Sequence, residues 1–176
     1  MKSKVKKVKK VKTYVITMMV KFPRQGIVVP SPTGFKKKIL TGEKKHTIRQ
    51  NYHFWKKRID EINAGKAILS VRQWTGKPYN SEQKEIKKFG QGEVGYQRVT
   101  IEQKPVGKWS DHTVLLSVGV LNPGSQRVTG SGYKFLNAKK IKQLAENDGI
   151  TVEQMQKFFK KGVLDGIIIH FSDLRY

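Results

Sequence analysis

The chain has 176 residues, the size of one domain with room for a real hydrophobic core. Hydrophobic residues make up 37% and aromatic residues 10%, which excludes a disordered polypeptide, although 36 Lys and Arg against 13 Asp and Glu leave a net charge of +23. There is no cysteine, which excludes a disulfide framework and any thiolate metal site.

Residues 1–12, MKSKVKKVKKVK, hold seven lysines and read as a disordered basic arm, because like charges repel and little can be buried. The remainder, 13–176, reads as one domain. Tyr14 to Phe22 is rich in β-formers and apolar on both faces, the pattern of a central strand, before Pro23, Pro30 and Pro32 punctuate a loop. Phe35 to Leu40 forms one or two helical turns that end at Gly42, a left-handed cap. Gln50 to Ile62 places Tyr52, Trp55, Ile59 and Ile62 at helical spacing, with the two aromatics read as core, and Ala67 to Trp74 is a strand closed by the Gly76–Pro78 turn.

Residues 80–93 are polar without usable periodicity, while Arg98–Gln103 and Thr113–Val120 read as strands joined by a turn over Pro105–Asp111. A loop over 122–132 precedes an amphipathic helix from Leu136 to Glu146. Thr151 to Gln154 then has the T-x-x-Q capping box of a second helix, which buries Val152, Met155, Phe158 and Phe159 and ends at Gly162. Val163 to Phe171 contains the closing strand. Several strands with short helices between them predict an α+β fold: a small, mostly antiparallel β-barrel with short helices at its rim.

The informative segment runs from Lys38 to Arg49, where a short helix ends at Gly42 and a tight connection presents Lys44, Thr47 and Arg49. If Thr47 begins an extended stretch, Thr47 and Arg49 point to one side at a period of two. An ammonium, a hydroxyl and a guanidinium fork together can hold a phosphate, or polarise a carbonyl beside a nucleophile.

Gly42, Lys44, Thr47 and Arg49 match the G-x-K-x-x-T-x-R signature of the ASCH domain family, a branch of the PUA-like superfamily, which this segment resembles. Leu144-Ala-Glu146-Asn-Asp148-Gly resembles a second stretch of the same family, in the same order along the chain. The resemblance spans roughly residues 14–171. It implies a PUA-like β-barrel with a charged cleft on one side and an RNA-binding role. One branch of the family consists of amidohydrolases that deacetylate acetylcytidine with a Lys, Thr and Glu set. Carried over, Lys44 would activate Thr47 as nucleophile and Asp148 would stand at or near the position where that branch has Glu, with Arg49 or backbone N–H groups stabilising the oxyanion. Asp is one methylene shorter, and a displacement on the order of 1 Å costs about 10²-fold in rate.

The charge bears on partners. Setting the seven arm lysines aside still leaves +16 on the body, far beyond the net charge of about 2–8 that solubility requires. A surplus of that size attracts phosphate backbones, so RNA or a modified nucleoside is the expected partner, with DNA the alternative for an accessory protein of a mobile element. Trp74 beside Arg72 either stacks a base or packs the barrel end. His46, His53, His112 and His170 lack metal-ligand spacing, so no metal or cofactor is expected, and His46 reads as neutral and structural. The apolar run from Tyr14 to Val20 is seven residues against the roughly 20 that span a bilayer, so a cytoplasmic protein is expected.

Overall fold

The computed structural model describes residues 11–22, 31–105, 114–121 and 133–176. The lysine arm up to Lys10, the loop carrying Pro23 and Pro30, most of the expected Pro105–Asp111 turn, His112 and the 122–132 loop lie outside the described residues. In chain order the elements are β1 (Lys12–Met18), α1 (Phe35–Leu40), β2 (His46–Gln50), α2 (Tyr52–Asn63), β3 (Ala67–Trp74) and β4 (Gln83–Phe89). They continue as β5 (Gly95–Pro105), β6 (Val114–Leu121), β7 (Lys134–Phe135), α3 (Ala138–Asn147), α4 (Val152–Phe158) and β8 (Val163–His170).

The fold is α+β with mostly antiparallel strands. They hydrogen-bond as two sheets, β1-β3-β4 and β2-β8-β5-β6-β7, and among the described residues no ring of strands closes on itself. Only β1 and β3 run parallel among the described pairs, because α1, β2 and α2 intervene between them as a crossover. No helix among the described residues is long and apolar enough to cross a membrane.

The core is one contiguous cluster drawn from both sheets and four helices. Ile167, Ile168 and Ile169 of β8 are fully buried on both faces, since β8 lies between β2 and β5 and is covered on each side. Each such side chain contributes on the order of 1.5–3 kcal/mol of burial. Ile59 and Ile62 of α2, Leu144 and Ala145 of α3 and Met155 of α4 seal the sheets. The T-x-x-Q box at Thr151–Gln154 forms with both reciprocal hydrogen bonds, and Asn51 and Asn137 cap α2 and α3 with their side chains.

Two elements depart from the sequence expectation. The first strand begins at Lys12 and ends at Met18, and it lies at the edge of its sheet rather than the centre. Ile16 and Met18 face the core, but Val15, Met19 and Val20 remain 37–38% exposed, because they line cavities instead of packing under a third layer. Lys12 consequently belongs to the folded body, where it pairs with Glu61 at 2.9 Å. The second departure is β4, which occupies the stretch that showed no periodicity. Val71 pairs with Lys87 and Arg72 with Glu85, so Ile86 is the extra residue of a β-bulge. The bulge resets the period-two alternation in mid-strand, and that is why the pattern was invisible.

Candidate functional site

β1 and β2 are the edge strands of their respective sheets, and a cavity of about 350 Å³ opens between them. Its walls carry Lys44, Thr47, Arg49 and Asp148 together with Phe35, Trp55, Phe158 and Phe159. The two sequence segments that resemble the ASCH signature therefore meet at one place, although they lie 104 residues apart at the Lys44–Asp148 contact.

Local structure explains the meeting. α1 stops at Gly42, whose φ of +78° turns the chain back. Lys44 N then donates to Lys38 O (2.9 Å) and Lys45 N to Asn147 O (2.7 Å), which fastens the turn to the end of α3. Asp148 caps α3, its N–H donating to Leu144 O and Ala145 O at 3.0 Å. Gly149 follows in the left-handed region (φ +76°), where a Cβ would stand 3.2 Å from Lys38 Cδ and 3.6 Å from Lys44 Cβ. Glycine is favoured there by conformation, and a side chain would also crowd Lys38.

The Lys44 ammonium is turned onto Asp148. It donates to the Asp148 carbonyl and to Asp148 Oδ1, each at 2.5 Å, and it lies 4.4 Å from the Phe35 ring centroid. The two side chains are only 1% and 9% exposed. Burial pulls the Lys44 pKa down and the Asp148 pKa up, and the ion pair opposes both displacements. Arg49 adds a smaller contribution to the depression at Lys44.

Behind this pair sits a polar cluster that sequence reasoning missed. Asn147 Nδ2 donates to the Tyr176 hydroxyl (2.9 Å), leaving that hydroxyl hydrogen for Nε2 of His46, 2.8 Å away. The imidazole proton then occupies Nδ1, 3.8 Å from Asp148 Oδ1. Burial holds His46 well below its ordinary pKa, so it is neutral. Gln97 extends the cluster: its Oε1 accepts from Tyr176 N (3.0 Å) and lies 3.1 Å from His170 Nε2. Nothing in the sequence joins Tyr176 to the motif 130 positions earlier; only the pairing of β2 with β8 does.

The opposite wall is unlike this one. Thr47 and Arg49 alternate along β2 as expected and both line the cavity. The Thr47 hydroxyl makes no hydrogen bond among the described residues, and in particular none to Lys44. Arg49 reaches across the gap to donate to Thr17 O of β1 (2.9 Å) and to Ile48 O (3.3 Å). No carboxylate among the described residues comes within 4 Å of its guanidinium. Burial lowers its pKa and the field of Asp148 raises it.

Arg72 and Trp74 do not join this cavity. Arg72 Nε donates to Ser70 Oγ (2.9 Å), which in turn donates to Glu85 (2.8 Å), so it is tied within the smaller sheet. Trp74 lines a second cavity at the end of that sheet. Tyr52 packs against the core, as read from its spacing, whereas Trp55 both packs there and lines the cleft. Among the described residues no cluster of three His, Asp or Glu could hold a metal ion.

Compared with known protein families, characterised proteins and solved structures, the chain matches none.

Proposed function

We propose that the protein is an RNA- or modified-nucleotide-binding module of the ASCH, PUA-like type, with the cavity between β1 and β2 as its nucleotide cleft. In this reading the two sheets are the halves of a PUA-like barrel, parted where the ligand enters. The observation that carries it is Arg49: a half-buried guanidinium that lines a small, aromatic-walled cavity and has no carboxylate of the described residues within 4 Å. Such a group is matched to a phosphate or to the acceptor edge of a base. Phe35, Trp55, Phe158 and Phe159 supply the apolar surface that a base needs, and the Thr47 hydroxyl supplies an unused donor and acceptor. The +23 charge draws the polyanion in without distinguishing RNA from DNA.

The convergence of Lys44, Thr47 and Asp148 on one cavity favours a second reading, an amidohydrolase acting on acetylcytidine or a similar small amide. Its weak point is the Lys44 ammonium, which donates to Asp148 rather than lying poised to accept a proton from Thr47.

One experiment separates the two. Arg49→Ala should weaken cytidine monophosphate and RNA binding by about 1.5–3 kcal/mol, the range for a charge-assisted hydrogen bond, with melting little changed. Chromatography of acetylcytidine incubated with wild type and with Asp148→Glu should show no cytidine above background. Turnover that Thr47→Ala and Lys44→Ala each abolish would establish the hydrolase instead.

A further inference from the structure

The hairpin joining β3 to β4 carries two aromatic rings of which the core makes little use. Thr75 N donates to Glu82 O (2.9 Å), Gly76 N to Ser81 Oγ (3.0 Å) and Ser81 Oγ to Lys77 O (2.9 Å), so the turn has a defined shape. At its tip Tyr79 is 89% exposed and holds a φ of +65°, a left-handed conformation unfavourable for any residue with a side chain. Its ring centroid lies 5.4 Å from that of Trp74, inclined at 52°. Gly or Asn would relieve the backbone and remove an exposed apolar ring at the same time. A strained, solvent-facing tyrosine set against a tryptophan is therefore not accounted for by folding, and an outlier of this kind points to function.

The surroundings specify the chemistry. Trp74 lines a cavity of about 460 Å³ whose wall also includes Met19, Val20, Lys21, Thr75 and Lys77: two cations and no carboxylate. Met19 lines the Arg49 cleft as well, so the two cavities share a wall. Met19 and Val20, each 37% exposed, give a continuous apolar floor between them. Aromatic faces flanked by lysines are what unpaired bases and their phosphates require, because every base has a π-face and every linkage a negative charge. A duplex hides those faces.

We propose that Trp74 and Tyr79 form a second nucleotide subsite adjoining the Arg49 cleft, so that the ligand is an unpaired polynucleotide strand rather than a free nucleoside. The inference rests on reading the Arg49 cleft as the first subsite. One nucleotide enters the cleft, the chain passes over Met19, and a neighbouring base stacks on the Trp74–Tyr79 pair with Lys21 and Lys77 beside its phosphates.

Fluorescence anisotropy of full-length protein with labelled oligouridylate and oligothymidylate, each about ten nucleotides long, tests it, with cytidine monophosphate titrated in parallel. Tyr79→Ala should weaken oligonucleotide binding about tenfold or more, and cytidine monophosphate binding far less. Tyr79→Phe keeps the ring and should bind like wild type. A loss on oligouridylate alone assigns the strand to RNA, and a loss on both assigns it to unpaired nucleic acid in general. Unchanged oligonucleotide affinity in Tyr79→Ala overturns the second subsite while leaving the cleft to stand or fall on Arg49→Ala. If Arg49→Ala instead leaves cytidine monophosphate binding intact, the cleft reading fails, and the two-subsite path with it.

Discussion

The two walls of the β1–β2 cavity both draw on the segment from Lys44 to Arg49, yet they do opposite things. On one side Lys44, His46 and Asp148 are buried, and Lys44 and Asp148 are spent on each other. On the other, the Thr47 hydroxyl is buried as well but makes no hydrogen bond among the described residues, and the half-buried Arg49 guanidinium has no carboxylate of those residues within 4 Å. Lys44 and Arg49 are both cations of one short motif, but the first is paired with a carboxylate and the second donates to neutral acceptors. A motif match therefore does not by itself say which of its residues meet a ligand. The adjacent carboxylate distinguishes them.

The largest expected effect breaks the closed wall. Lys44→Ala would leave the Asp148 carboxylate buried without its partner, and should cost about 3–5 kcal/mol of stability by urea unfolding. Thr47→Ala, which removes no hydrogen bond, should cost about 1 kcal/mol or less. Comparable losses in the two variants would erase the distinction between the walls.

Acid should attack the closed side next. Burial, with a smaller contribution from Arg175, depresses the His170 pKa to about 3, against about 6.5 in an unfolded chain. A depressed histidine contributes stability that is present above its unfolded pKa and lost as pH falls toward its folded one. Unfolding free energy should thus fall by a few kcal/mol between about pH 6.5 and pH 3, with His46 acting in the same direction. His170→Gln should flatten that slope. An unchanged pH profile would mean that the imidazole is not held neutral by its surroundings.

The smallest effect concerns charge away from the cavity. Deleting residues 1–10 removes six lysines but leaves Lys12 in β1 with Glu61, and it should weaken RNA binding without abolishing it. The slope of log affinity against log salt should become shallower as well. Binding that disappears with the arm would place recognition there and not in the cleft.

Several features were legible because their causes are local. Gly42, Gly149 and Gly162 all take left-handed conformations at helix ends, the T-x-x-Q box caps α4, and Thr47 and Arg49 share a face because a strand alternates. β4 escaped detection because a bulge at Ile86 broke its alternation, and β1 was misplaced because the apolar lining of a cavity resembles the apolar faces of a buried strand. Trp74 beside Arg72 reads from the sequence as a base-stacking residue or as packing at the barrel end, and the two residues part company: Arg72 turns to Ser70 while Trp74 lines the cavity beside Met19.

The sequence by itself determined the α+β class, most helix and strand positions, the excess of positive charge and the residues worth examining. Periodicity, caps and composition are properties of neighbouring residues. Only the tertiary structure decided that Asp148 closes on Lys44, that Tyr176, bonded to Asn147, meets the buried His46 behind them, and that Arg49 has no carboxylate within 4 Å among the described residues. Those outcomes depend on β2 pairing with β8 and on α3 ending beside the Gly42 turn, contacts that bring together groups more than a hundred residues apart. Which of two cations meets a carboxylate and which meets neutral acceptors is settled by what the fold brings near each, and no local pattern encodes it.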